Sequence, residues 1–204
     1  MIEEKTKAYI TKEKVEKIFK EATASLKSAE EEKMVKKKVV MIIAHRNFRD
    51  EELERPKGIL EKKKIEVIIA SSSKDTAIGM FGATAQPDIL IGELKVVDYH
   101  AIIFVGGSGA SEYWNDPTAH EIAKEAVKQG KILCAICIAP VTLANAGVLE
   151  GKKATVWPSE IDKLKKKGAL YTGKKVEIDG KIITASGPEA AEEFGKAILK
   201  ALIS

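Results

Sequence analysis

The chain has 204 residues, 45% of them hydrophobic, with 34 basic and 30 acidic side chains for a formal charge of +4. That length and apolar fraction suit one α/β domain with a full core and at most a small appendage. No apolar run approaches the ~20 residues of a membrane span, two cysteines are too few for a disulfide framework, and the small charge excess makes no nucleic-acid-binding face.

Residues 1–36 read as a separate extension. Ile10, Val15, Ile18, Phe19, Ala22 and Leu26 recur at helical spacing among lysines and glutamates. The spacing predicts an amphipathic helix that docks its apolar stripe on the domain or on another subunit. Residues 1–38 hold 11 Lys and 8 Glu, so they carry +3 of the +4 and the remainder is near neutral. The start is charged throughout and lacks the apolar stretch of a secretory signal. A reducing cytoplasm is the expected compartment, with neither membrane nor nucleic acid as a partner. Lys and Glu are abundant and Asn and Gln scarce, a bias of the kind found in thermophiles.

The domain proper is expected over 37–204, where apolar runs alternate with helical patterns. "KVVMIIA" (38–44), "IEVIIA" (65–70), "AIIFVGG" (101–107) and "KILCAIC" (131–137) are continuous apolar runs, as strands buried on both faces should be. Helices are predicted near 50–64, from Asp116-Pro117 to Gln129, through "IAPVTLANAG" to Gly147, and over 188–203. Asp116 serves as N-cap of the second, with Gly130 past its end. In the last helix Ala191, Phe194, Ala197, Ile198 and Leu202 share a face. Residues 71–97 contain three glycines and a proline and read as short strands and turns. "VEIDGKIITA" (176–185) reads as a hairpin turning at Asp179-Gly180. Strands alternating with helices predict a mostly parallel sheet covered on both faces. Ligands of such folds bind beyond the carboxyl ends of the strands, which directs attention to the turns 44–52, 105–112 and 136–140.

Both cysteines lie in "KILCAICIAP", spaced as a C-x-x-C pair. In a strand, three residues separate them by roughly 10 Å, beyond the ~7 Å that a disulfide tolerates between Cα atoms. Odd spacing also predicts opposite faces of the sheet. Two sulfurs cannot fill a zinc site, and His45, His100 and His120 are distant in sequence, so no metal is expected. Cys134 therefore reads as a small buried hydrophobe. Cys137 stands at the strand-to-helix turn, with Pro140 in the first helical turn. The sharp strand–nucleophile–helix elbow suits a nucleophile, and the helix end favours its thiolate.

The surrounding turns supply candidates for the rest of a site. Gly106 and Gly107 end a neighbouring strand, where backbone N–H groups approach a substrate carbonyl closely; alone they are also a plain tight turn. With the N–H of Ile138 they make up the expected oxyanion hole. Asp50, Glu51 and Glu52 open a helix, where dipole reasons alone favour acids. His45 is a possible additional base. Tyr113, Trp114 and Trp157 are possible pocket walls.

Taken together, "NFRDEEL", "FVGGSGASEYW", "AICIAP" and "TASGPEAAEEFGKAI" resemble the ThiJ/PfpI superfamily from about residue 38 to the C-terminus. The resemblance implies a flavodoxin-like, glutamine-amidotransferase-like three-layer α/β sandwich, usually in a homodimer or larger homo-oligomer. It implies Cys137 as nucleophile and Gly106–Gly107 as the oxyanion-hole region. It also picks Glu52 as the carboxyl that hydrogen-bonds the cysteine sulfur, protonated because two buried anions would repel. This chain departs from the family twice. Ile138 stands where PfpI-type peptidases carry a histidine after the cysteine, and "TVWPSE" puts Trp157 where the deglycase branch has one.

Peptide hydrolysis needs an acid for the leaving amine, so the departures point from peptidase toward glyoxalase- or deglycase-like chemistry on a small carbonyl, with no cofactor. A redox sensor or chaperone using Cys137 is the alternative. A peptidase or amidase borrowing a base from a neighbouring subunit is a further one.

Overall fold

The computed structural model of the chain describes residues 14–23 and 37–204. Helix α1 is described over residues 14–23. The first part of the domain runs β1 (Lys38–Ile42), β2 (Arg46–Phe48), α2 (Asp50–Glu61), β3 (Glu66–Ser71), β4 (Ala77–Gly79), β5 (Thr84–Ala85) and β6 (Ile89–Leu90). Next come β7 (Ala101–Phe104), α3 (Pro117–Lys128), β8 (Ile132–Ile136) and α4 (Pro140–Asn145). The chain closes with β9 (Lys153–Ala154), α5 (Ile161–Lys166), β10 (Leu170–Tyr171), β11 (Val176–Asp179), β12 (Ile182–Ala185) and α6 (Ala191–Ile203).

The central sheet is ordered β11-β12-β8-β7-β1-β3-β6. All its pairings are parallel except β11–β12, the hairpin with Gly180 at its turn. Its strands are apolar throughout because both faces are covered. Val40, Ile42, Ile102, Phe104, Leu133 and Ala135 pack toward residues of α3, α4 and α5. Val39, Met41, Ile43, Ile103, Cys134 and Ile136 pack toward Leu53 and Leu60 of α2 and Phe194, Ile198 and Leu202 of α6. Each fully buried Leu, Ile or Phe stabilises the fold by roughly 1.5–3 kcal/mol. Helices α2 and α6 meet closely at Gly195, where a Cβ would stand 2.9 Å from the Pro56 Cα. The result is the expected α/β sandwich of three layers, with a mostly parallel sheet.

The predicted caps form as read. Asp116 accepts the Ala119 N–H at 2.6 Å and Pro117 opens α3, while Gly130 follows the helix at φ +64. Residues 71–97 fold into short strands and turns, with β2, β4 and β5 making a small separate sheet.

Two expectations are corrected. The described part of α1 does not pack on the domain: Val15, Ile18 and Phe19 remain 52%, 55% and 75% exposed, while Ile10 and Leu26 lie outside the described residues. Nor do the two cysteines face opposite sides of the sheet. Cys134 and Cys137 join the same apolar cluster, because β8 ends at Ile136 and the backbone inverts at Cys137. Both are free thiols.

Candidate active site

The carboxyl ends of β1, β7, β8 and β12 lie side by side, and the turns that follow them build one site. At the end of β8, Cys137 adopts φ +63, a left-handed conformation that costs a residue with a Cβ roughly 1–2 kcal/mol. Two main-chain bonds hold it there. Its N–H donates to the Ala185 carbonyl at the end of β12 at 2.9 Å, and its carbonyl accepts the Trp157 N–H at 2.8 Å. Pro140 then starts α4. This is the sharp elbow that the sequence led one to expect.

Glu52 reaches the same point from the first turn of α2. Its carboxyl and the Cys137 Cβ both lie where a Cβ on Gly106 would fall, so only glycine leaves room for the pair. Glu52 is fully buried, and both its oxygens lack an aligned hydrogen-bond partner. Its polar neighbours are the Cys137 thiol and the Gly106 N–H. Burial pushes the carboxyl up to about 8, and those neighbours only partly offset it. Cys137 is 8% exposed. Burial, with the adjacent Glu52 charge, pushes its thiol up to about 12. The Gly107 and Ile138 N–H groups pull the other way and are aimed at the sulfur.

At neutral pH the resting pair is therefore a thiol beside a protonated carboxyl. The thiolate expected at Cys137 is thereby corrected: desolvation outweighs whatever the helix end contributes. The two glycines also divide their work. Gly106 faces Glu52, whereas Gly107 and Ile138 face the sulfur.

The other candidates fall in different places. Tyr113 is buried, and its hydroxyl donates to the Ile43 carbonyl at 2.9 Å, which makes it a brace at the end of β1 rather than a pocket wall. The indole N–H of Trp114 donates to the Ile138 carbonyl at 3.2 Å, tying the residue after the elbow to the segment after β7. Trp157 is 42% exposed, and its ring covers Gly187, where a Cβ would stand 2.7 Å from the indole. His45 makes no hydrogen bond to Cys137 or Glu52; its Nδ1 is buried without a partner, and its carbonyl accepts the Ile78 N–H. His120 bonds the Trp114 carbonyl, and His100 accepts the Lys38 N–H.

Arg49 and Asp50 escaped sequence reading as individual site residues. Asp50 is buried, and its carboxylate accepts the N–H groups of Phe81 and Ala83, clamping the turn between β4 and β5. Arg49 donates its backbone N–H to Gly106 and pairs its guanidinium with Glu51. Their one sequence signal was position, three and two residues before Glu52 in "FRDEEL".

Comparison with known proteins bears on the family and the fold. The DJ-1/PfpI family model matches residues 37–201. An uncharacterized protein of Methanocaldococcus jannaschii is 43% identical over 174 residues, 84% of this chain and 85% of its own. A protein named as a deglycase in Pyrococcus abyssi is 30% identical over 149 residues, 73% of this chain and 90% of its own. A glutathione-independent glyoxalase of Caenorhabditis elegans is 31% identical over 144 residues, 71% of this chain and 77% of its own. Among solved structures, a ThiJ/PfpI domain protein of Brachyspira murdochii superposes with a TM-score of 0.79 at 29% identity, covering 81% of this chain and 95% of that one.

Proposed function

The chain belongs to the DJ-1/PfpI family, and from that premise we propose that it is a cysteine-dependent enzyme converting small α-oxoaldehydes to α-hydroxy acids without glutathione. The observation that carries this reading is the apposition of Cys137 to a buried carboxyl, Glu52, with no aligned hydrogen-bond partner of its own. Relatives named as deglycases and as a glutathione-independent glyoxalase add support.

In this mechanism the ionised fraction of Glu52 takes the thiol proton as the Cys137 sulfur bonds to the aldehyde carbon. The carbonyl oxygen, facing the Gly107 and Ile138 N–H groups, receives that proton back from Glu52, giving a hemithioacetal. Glu52 then removes the hydrogen on the first carbon as a proton, leaving an enediolate, and returns it to the second carbon. As the oxygen-bound proton moves from the first oxygen to the second, a thioester of the hydroxy acid results. Water attacks the thioester, the sulfur–carbon bond breaks, and thiol and acid are released. One water is consumed. The first carbon is oxidised and the second reduced, so no external oxidant is needed.

A thiol raised by burial weighs against a redox sensor, whose cysteine works through an accessible thiolate. Among the described residues no histidine hydrogen-bonds Cys137, which weighs against a peptidase. Purified protein given methylglyoxal without glutathione should release lactate, and Cys137→Ala should abolish it. Wild type that forms no lactate, or a fully active Cys137→Ala, would refute the reading.

A further inference from the structure

Beside the reacting pair stands a cation already held in place on three sides. The Arg49 N–H donates to the Gly106 carbonyl at 2.9 Å, which fixes the residue against the glycine turn. Glu51 accepts from Nε at 2.7 Å and from Nη2 at 3.2 Å, occupying one edge of the guanidinium. The Phe81 ring lies under its plane, 4.5 Å from the central carbon. Phe81 is itself positioned by Asp50, whose carboxylate takes the Phe81 and Ala83 N–H groups and so does not compete for Arg49.

What remains is the other edge. A guanidinium carries five N–H donors in a planar fork, and Nη1 donates to no described residue. The free Nη1–Nη2 edge presents two parallel N–H groups, the geometry that grips a carboxylate bidentately. The residue abuts the turn that serves the site, since a Cβ on Gly107 would collide with the Arg49 backbone N, and its positive charge favours the ionised Glu52 carboxyl.

We infer that Arg49 is a specificity residue that anchors a carboxylate on the substrate, so that the preferred substrate is an α-oxoaldehyde ending in a carboxylate. The substrate identity rests on the carbonyl-enzyme reading; the anion site does not. γ,δ-Dioxovalerate has this form, and the reaction above would add one water to give α-hydroxyglutarate.

Two measurements separate the claims. The first is the rate at which Cys137 is alkylated by iodoacetate relative to neutral iodoacetamide, which needs no turnover. The ratio should be about tenfold higher in wild type than in Arg49→Met, intermediate in Arg49→Lys, and reduced by molar salt in wild type. Equal ratios in wild type and Arg49→Met, or a wild-type ratio indifferent to salt, overturn the anion site. The second compares γ,δ-dioxovalerate with uncharged propylglyoxal. The anionic substrate should have a KM at least about tenfold lower, and Arg49→Met should erase that advantage. Equal KM values in wild type overturn the substrate assignment. Failure to turn over either aldehyde, with the alkylation ratio intact, refutes the enzyme reading and leaves the anion site standing.

Discussion

The Trp157 N–H donates to the Cys137 carbonyl at 2.8 Å, and with the bond from the Cys137 N–H to Ala185 it holds the elbow at φ +63. Neither bond involves a side chain, so the strain persists whichever L residue occupies the position. Glycine alone adopts this conformation freely. Cys137→Gly should therefore be more stable than Cys137→Ala by about 1 kcal/mol, read from urea denaturation of the two variants. Equal stabilities would mean that the backbone relaxes at the elbow.

Gly106 is the seam between the two halves of the site. A methyl group there would meet the Glu52 carboxyl and the Cys137 Cβ. Gly106→Ala should leave circular dichroism unchanged but lower lactate formation by about 100-fold, since misplacing reacting groups by an ångström has that scale of effect. Wild-type turnover in the variant would show that Glu52 and Cys137 need not keep this spacing.

The buried carboxyl fixes the pH behaviour. Glu52 is raised from 4.5 to about 8 on folding. Between those values the folded state keeps a proton that the unfolded chain has lost, so stability falls as pH rises through the window. Glu52→Gln removes this dependence. Relative to wild type it should gain about 2–4 kcal/mol between pH 5 and pH 9, measured by urea denaturation. Turnover should run the opposite way, rising toward pH 8 as Glu52 ionises. An identical pH dependence in the two proteins would exclude a buried proton on Glu52.

Helix α1 leaves Val15, Ile18 and Phe19 exposed, and the family match begins at residue 37. Removing residues 1–36 should leave the α/β domain folded, with its melting temperature changed by no more than about 3 °C. A large drop would show that the extension packs on the domain.

Much of this structure was legible in the chain itself. Continuous apolar runs marked the buried strands, Asp116-Pro117 marked the start of α3, and a cysteine between such a run and Pro140 marked the elbow. Four things were not legible. Left-handed φ normally announces itself by glycine, and at Cys137 there is none, so the shared face of Cys134 and Cys137 was hidden. The protonation of the pair depends on burial contributed by elements remote in sequence. Tyr113 looked like a pocket wall because nothing in "SEYW" reveals that its hydroxyl finds Ile43. Arg49 lay unread beside Glu52, since an ion pair with Glu51 becomes informative only once Phe81 is seen beneath it.

The most direct test follows Glu52→Gln through a reaction with methylglyoxal, monitoring intact mass and lactate together. Without the carboxylate the thiol loses the base that takes its proton, and no group moves the proton between carbons. The account predicts lactate formed at least about 100-fold more slowly than in wild type, with no more methylglyoxal held on Cys137 than in wild type. Lactate formed by Glu52→Gln at the wild-type rate would contradict it.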